Sequence, residues 1–340
     1  MTYTEITQNI YKDNKKIYKK GKMRIGILLF CSCLSMFIRS FAAPVIQYAY
    51  DALLPFTEDL MAETTYELLF NMVYYVISIV VPYLLVMIVS RTGFKKAFPL
   101  KARMPRNPIG FILFAFGICL IFNYVLSILT PWYSDLFPSD ETLYESGIDI
   151  ALYFVQVAIL PAIFEELVFR GITFGALKPL GTRFAVILSA ILFGMAHIYP
   201  LQSMFATLFG LLLGGVYVAT GSLWTCVLLH FFNNAFAVLA SYSAEMIEKG
   251  NMLVPMFVSA VVYASMAYSI VYLIKYIKLP GRFPMAIKEE KESMLTGSGF
   301  SPLRAVLTNF WTYVFVILYV LIVVLLIIGN LYTGAGSAGV

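Results

Sequence analysis

Apolar residues in this chain fall into long unbroken runs of about twenty, and short polar links carrying nearly all the charge separate them. A run of that length, wound as a helix, crosses the roughly 30 Å hydrocarbon core of a bilayer. Runs at about 25–43, 69–89, 109–130, 150 to the mid-170s, 184–199, 203–219, 223–240, 252–274 and 307–329 predict nine transmembrane helices. The runs are continuous, whereas the strands of a membrane β-barrel alternate apolar and polar positions. No polar stretch is long enough to form a separate soluble domain. The expected architecture is all-α, polytopic, and one helical bundle. Gly210, Gly214 and Gly215 line one stretch of the sixth run, a spacing that lets a second helix approach closely.

The links orient the bundle. Lys12, Lys15, Lys16, Lys19, Lys20, Lys22 and Arg24 precede the first run, which places the N-terminus in the cytoplasm, because basic flanks stay inside. Asp51, Glu58, Asp59, Glu63 and Glu67 then mark an outer link, and Arg91 to Arg106 a basic inner one. Asp135 to Glu145 lie outside again, and the basic segment from Lys275 to Arg304 lies inside. Nine crossings leave the glycine-rich C-terminus outside, and the expected location is the cell membrane. Ser40-Phe41-Ala42 has the look of a signal-peptidase site. The long basic region and Arg39 within the apolar run predict an uncleaved anchor instead.

Composition agrees with this pattern. Charged residues are 13% of the chain, against about 25% in an average soluble protein, and hydrophobic residues are 60%. Cys31, Cys33, Cys119 and Cys226 all sit in apolar runs, so neither a disulfide framework nor a zinc finger is indicated. The net charge of +5 is modest and concentrated at topogenic flanks, which gives no support to a nucleic-acid partner.

Against this background the polar groups inside the runs stand out, since charges at bilayer depth are costly and usually functional. The segment PAIFEELVFRGITF, residues 161–174, carries Glu165, Glu166 and Arg170. On a helix Arg170 lies four residues beyond Glu166 on the same face, where the two can pair. Glu165 is rotated by about 100° from its neighbour. One carboxylate is thus neutralised and one left free. The plainer alternative puts all three in the head-group layer at a helix end.

The chain has two histidines, and both fall in apolar runs: His197, four residues after Phe193, and His230, four before Asn234. A carboxylate, two imidazoles and an amide can therefore converge from three helices. Amide hydrolysis needs a base for water, donors for the oxyanion and a proton for the leaving amine. Glu165 with His197 can serve water, and His230 with Asn234 can serve the oxyanion. Alternatively, Glu165, His197 and His230 make a zinc set, two histidines and a carboxylate. A transporter also places ionisable groups at mid-membrane, although no internal sequence repeat is visible.

In this order, Glu-Glu-x-x-x-Arg (Glu165, Glu166, Arg170), Phe-x-x-x-His (Phe193, His197) and His-x-x-x-Asn (His230, Asn234) resemble the CPBP, or Abi, family of intramembrane proteases. The family groups type II CAAX prenyl endopeptidases with bacteriocin-processing and bacteriocin-immunity proteins. The glycine-rich run into Thr220-Gly221-Ser222-Leu223-Trp224 adds to the likeness. It covers about residues 150–240, between N-terminal helices at 25–149 behind the basic flank 1–24 and C-terminal helices and tail at 241–340. The resemblance implies that Glu165 activates water beside His197, that Glu166 and Arg170 support it, and that His230 and Asn234 bind the oxyanion. It further implies a peptide or membrane-protein substrate met in the lipid bilayer, and no catalytic metal. A bacteriocin-immunity or scaffold protein that binds without cleaving is the alternative within the same family.

Overall fold

The structure, a computed structural model, describes residues 3–57, 60–90, 98, 108–130, 144, 146–278 and 301–337. The described residues are helical with short connections, and none of them is in a strand. Eleven helices follow in order: α1 (Tyr3–Phe41), α2 (Ala43–Leu53), α3 (Glu63–Ser90), α4 (Pro108–Leu129), α5 (Gly147–Leu180), α6 (Thr182–Met195), α7 (Pro200–Thr220), α8 (Leu223–Glu248), α9 (Leu253–Lys278), α10 (Pro302–Leu307) and α11 (Phe310–Ser337). Eight of these are long and apolar enough to cross a membrane: α1, α3, α4, α5, α7, α8, α9 and α11. This is an all-helical polytopic membrane protein.

The run at 184–199 accounts for the difference from nine spans. Helix α6 has 14 residues, about 21 Å at 1.5 Å per residue, short of a bilayer core. It stops at Met195, well before Pro200, because the chain turns at His197 and Ile198 into α7. Ile198 has φ 58°, a left-handed value that is a true outlier for a β-branched residue. The Tyr199 amide donates to the His197 carbonyl across it, closing a three-residue γ-turn. The short helices α2 and α10 were expected as parts of links. Pro44 and Pro302 each sit in a first turn, where a missing N–H is harmless.

Small residues set the packing of the α6–α7 hairpin. A Cβ on Gly194 would come 1.8 Å from Thr207 Oγ1 and 2.6 Å from the Ser203 carbonyl, and one on Gly210 would meet Ala190 Cα at 3.0 Å. The glycine stripe of α7 therefore meets α6, its neighbour in sequence. Helices α1 and α3 are joined by three polar contacts. Ser32 and Tyr83 hydroxyls are 2.8 Å apart, Ser35 donates to the Ser78 carbonyl at 2.9 Å, and Tyr74 donates to the Ile38 carbonyl at 2.7 Å. The middle bond has a local cause: Pro82 has no N–H to give the carbonyl four residues earlier, that of Ser78, and Ser35 supplies the proton.

Helix α5 runs through the bundle with two π-helical stretches, Val155–Ile159 and Leu167–Thr173, and Pro161 between them. Such stretches are uncommon and frequent at functional sites. Several loop residues used above for orientation, among them Arg91 to Arg106, Asp135 to Asp140 and Arg282 to Lys291, lie outside the described residues.

Candidate active site

Midway along α5, Glu165 and Glu166 point to different partners, as adjacent helical positions must. Glu166 is fully buried, and its Oε1 accepts from Arg170 at 2.8 Å and from His230 Nδ1 at 2.9 Å. Arg170 is 1% exposed, donates its second nitrogen to the Gly210 carbonyl at 3.2 Å, and lies 4.5 Å from the Phe193 ring centroid. Burying a guanidinium is expensive unless it is paired and hydrogen-bonded, and here the carboxylate, the carbonyl and the aromatic face share that role. The bare approach of α7 at Gly210 brings that carbonyl within reach.

Glu165 faces the other way. Tyr75 of α3 donates its phenol proton to Glu165 Oε1 at 2.6 Å. The second oxygen, Oε2, is 3.7 Å from His230 Nε2 and 3.9 Å from His197 Nε2. These separations exceed a direct hydrogen bond. They are short enough for a small molecule to bridge the oxygen and either nitrogen at about 2.8 Å from each.

The imidazoles are oriented from behind. His197 Nδ1 lies 2.9 Å from the Phe193 carbonyl, which can only accept, so Nδ1 carries the proton. His230 Nδ1 donates in the same way to the Glu166 carboxylate. Both Nε2 atoms therefore turn toward Glu165. Phe193 packs edge-on against both rings, at 5.0 Å from His197 and 5.8 Å from His230, and Phe209 closes on His230 at 5.3 Å. His197 stands at the strained tip of the α6–α7 hairpin. Arg39 of α1 holds that tip by donating to the Ala196 carbonyl at 2.8 Å.

Asn234, one turn beyond His230 on α8, spends one amide hydrogen on the Val157 carbonyl at 3.0 Å, and its oxygen accepts from Asn233 at 3.1 Å. Val157 belongs to the first π-helical stretch of α5, just before Pro161. Spacing along α8 predicts the face shared with His230, but the contact with α5 is visible only in three dimensions.

Six of the seven residues singled out above, Glu165, Glu166, Arg170, Phe193, His197 and His230, thus lie in one cluster, and Asn234 stands one turn beyond His230 with its side chain bonded to Val157 and Asn233. Tyr75 and Arg39 were missed. Arg39 carries a signal in the sequence, a charge inside an apolar run. Tyr75 had none, because tyrosines are common in this chain. As for a metal, Glu165 Oε2 and the two Nε2 atoms are the natural donors. Among the described residues, however, no group of three His, Cys, Asp or Glu has the arrangement of a metal site.

A buried carboxylate facing two oriented imidazoles inside a helical bundle defines a class: a polytopic membrane protein with a polar centre enclosed by its helices. Residues 147–236 match the family described as type II CAAX prenyl endopeptidase Rce1-like. A protein of Bacillus subtilis (strain 168), named "Putative membrane peptidase YdiL", is 30% identical over 91 residues, which is 26% of this chain and 37% of that relative. No solved structure matches the chain.

Proposed function

We propose that this protein is an intramembrane endopeptidase that hydrolyses a peptide bond with a water activated by Glu165. The observation that carries the reading is the convergence of Glu165 Oε2 with the Nε2 atoms of His197 and His230 within 3.9 Å, inside the segment with the peptidase-like match. Water held between Glu165 and His197 gives its proton to Glu165 as its oxygen attacks the substrate carbonyl. Negative charge then develops on the carbonyl oxygen. His230 donates to it through Nε2–H, and Asn234 through the amide hydrogen not given to Val157. Glu165 finally returns the proton to the departing amine, and the carbon–nitrogen bond breaks.

With His230 donating from both nitrogens, Glu165, Glu166, Arg170 and His230 are two anions and two cations, a balance that lets a buried cluster avoid a net charge. Glu166 and Arg170 support His230 and do not touch substrate. Hydrolysis proceeds without a metal in this scheme. Ligands around a tetrahedral zinc at about 2.0–2.1 Å lie roughly 3.3 Å from one another, and the Nε2 to Oε2 separations of 3.7 and 3.9 Å are wider.

The substrate is a peptide or membrane protein presented at the bilayer, and the family description points first to a prenylated C-terminal CAAX peptide. The test is a quenched fluorescent farnesylated CAAX peptide incubated with the purified protein and its Glu165→Gln variant, together with a comparison of peptide termini in membranes from cells expressing each. Loss of cleavage, or of a set of termini, in the variant alone is expected. Identical termini and equal cleavage for both proteins would refute the proposal. Cleavage abolished by chelation and restored by stoichiometric zinc alone would refute its metal-free form.

A further inference from the structure

The segment with the family match contains neither α1 nor α3, yet both helices reach the proposed centre. Tyr75 of α3 donates to Glu165 Oε1 at 2.6 Å. Arg39 of α1 lies with its guanidinium carbon 5.9 Å from the centroid of the same tyrosine ring, and its Nη1 donates to the carbonyl of Ala196, the residue before His197. One side chain thus holds the carboxylate while the other holds the backbone that carries an imidazole.

We infer that Tyr75 and Arg39 are positioning residues for hydrolysis, a brace from α1 and α3 that sets the Glu165 to His197 distance. This rests on the endopeptidase reading for its kinetic consequence, though not for the brace itself. The physical case has three parts. First, a carboxylate rotates about its last side-chain bond, and a short bond from a phenol to Oε1 leaves Oε2 as the oxygen facing Nε2. Second, His197 sits on a turn with Ile198 at φ 58°, a conformation that persists only where its surroundings impose it. Arg39 supplies such a constraint, and the Tyr199 to His197 hydrogen bond alone spans no more than the turn. Third, the brace is anchored. Ser32, Ser35 and Ile38, all within two turns of Arg39, are hydrogen-bonded to Tyr83, Ser78 and Tyr74 of α3, so the two helices present Arg39 and Tyr75 in a set register.

Without the brace the site keeps its groups and loses their alignment. A small misplacement at a reacting centre costs rate more than binding, since ground-state contacts to the rest of the substrate are untouched.

The experiment uses the full-length protein in detergent, with Tyr75→Phe, Arg39→Met, Arg39→Lys and the Tyr75→Phe/Arg39→Met double variant. Cleavage of the farnesylated CAAX peptide is measured for kcat and KM. The infrared carboxylate stretch of Glu165, isolated as wild type minus Glu165→Gln, is recorded in the wild-type and Tyr75→Phe backgrounds. Tyr75→Phe should lower kcat by roughly tenfold to a hundredfold, the range for losing one hydrogen bond to a charged group, with KM within about twofold. The carboxylate band should move. Arg39→Lys should recover part of what Arg39→Met loses, and the double variant should fall short of the product of the single effects. An unmoved band together with an unchanged kcat in Tyr75→Phe overturns the brace and leaves the endopeptidase reading standing. A moved band in a protein whose wild type cleaves nothing supports the brace and counts against that reading.

Discussion

His230 Nδ1 lies 2.9 Å from Glu166 Oε1, the same oxygen that accepts from Arg170 at 2.8 Å. An ion pair that could have been self-contained on α5 is therefore a three-membered unit that reaches α8 and sets the direction of an imidazole. Removing Arg170 leaves a buried carboxylate with a histidine as its only hydrogen-bond donor among the described side chains. Arg170→Ala is expected to cost about 3–5 kcal/mol, the usual penalty for breaking a buried pair, and to be seen as poor yield and a lowered unfolding temperature in detergent. The charge-swapped pair Glu166→Arg with Arg170→Glu should not recover stability, because it sets a guanidinium against His230. A stable swapped protein would show that His230 takes no part in the unit.

Asn234 ties α8 to the first π-helical stretch of α5. Asn234→Leu removes the side-chain donor to the Val157 carbonyl and should lower stability by about 0.5–1.5 kcal/mol, the usual net worth of such a bond. Hydrolysis should fall with it if the other amide hydrogen serves the oxyanion. An unfolding free energy equal to that of wild type would show that this bond does not hold α8 against α5.

The hairpin tip makes a different demand. Ile198 has a φ that proline cannot adopt and asparagine accepts readily. Ile198→Pro should abolish cleavage while helical content measured by circular dichroism is kept. Ile198→Asn should stay within a few fold of wild type in rate. Full activity of Ile198→Pro would mean that the position of His197 does not depend on this turn.

Close approach at Gly194 predicts a large effect from one methyl group. Thr207 Oγ1 and the Ser203 carbonyl occupy the space a Cβ needs, and the second of these is backbone. Gly194→Ala must push α6 away from α7, and overpacking of this kind costs about 1–3 kcal/mol. The readout is the thermal midpoint in detergent, with Gly147→Ala, where no atom lies within 4 Å of the added carbon, as the neutral control.

Local periodicity by itself determined much of this protein. Apolar runs announced a helical membrane bundle because bilayer thickness converts directly into a number of helical residues. Glu166 and Arg170 could be paired on paper because four residues bring a helix nearly full circle, and Gly210 and Gly214 could be seen as a contact stripe for the same reason. Those are short-range relations, and one helix contains them. The shortness of α6 was hidden, since an apolar run does not reveal that Ile198 takes a left-handed turn before Pro200. Tyr75 and Arg39 reach Glu165 and Ala196 from 90 and 157 residues away, and no spacing rule links positions on different helices. The direction of each Nε2 depends on which oxygen stands behind the ring: for His197 it is the local Phe193 carbonyl four residues back, but for His230 it is Glu166, 64 residues away, which arrives only once α5 and α8 have packed together. The use of Asn234 is likewise a tertiary matter, because its amide meets the Val157 carbonyl 77 residues away on another helix.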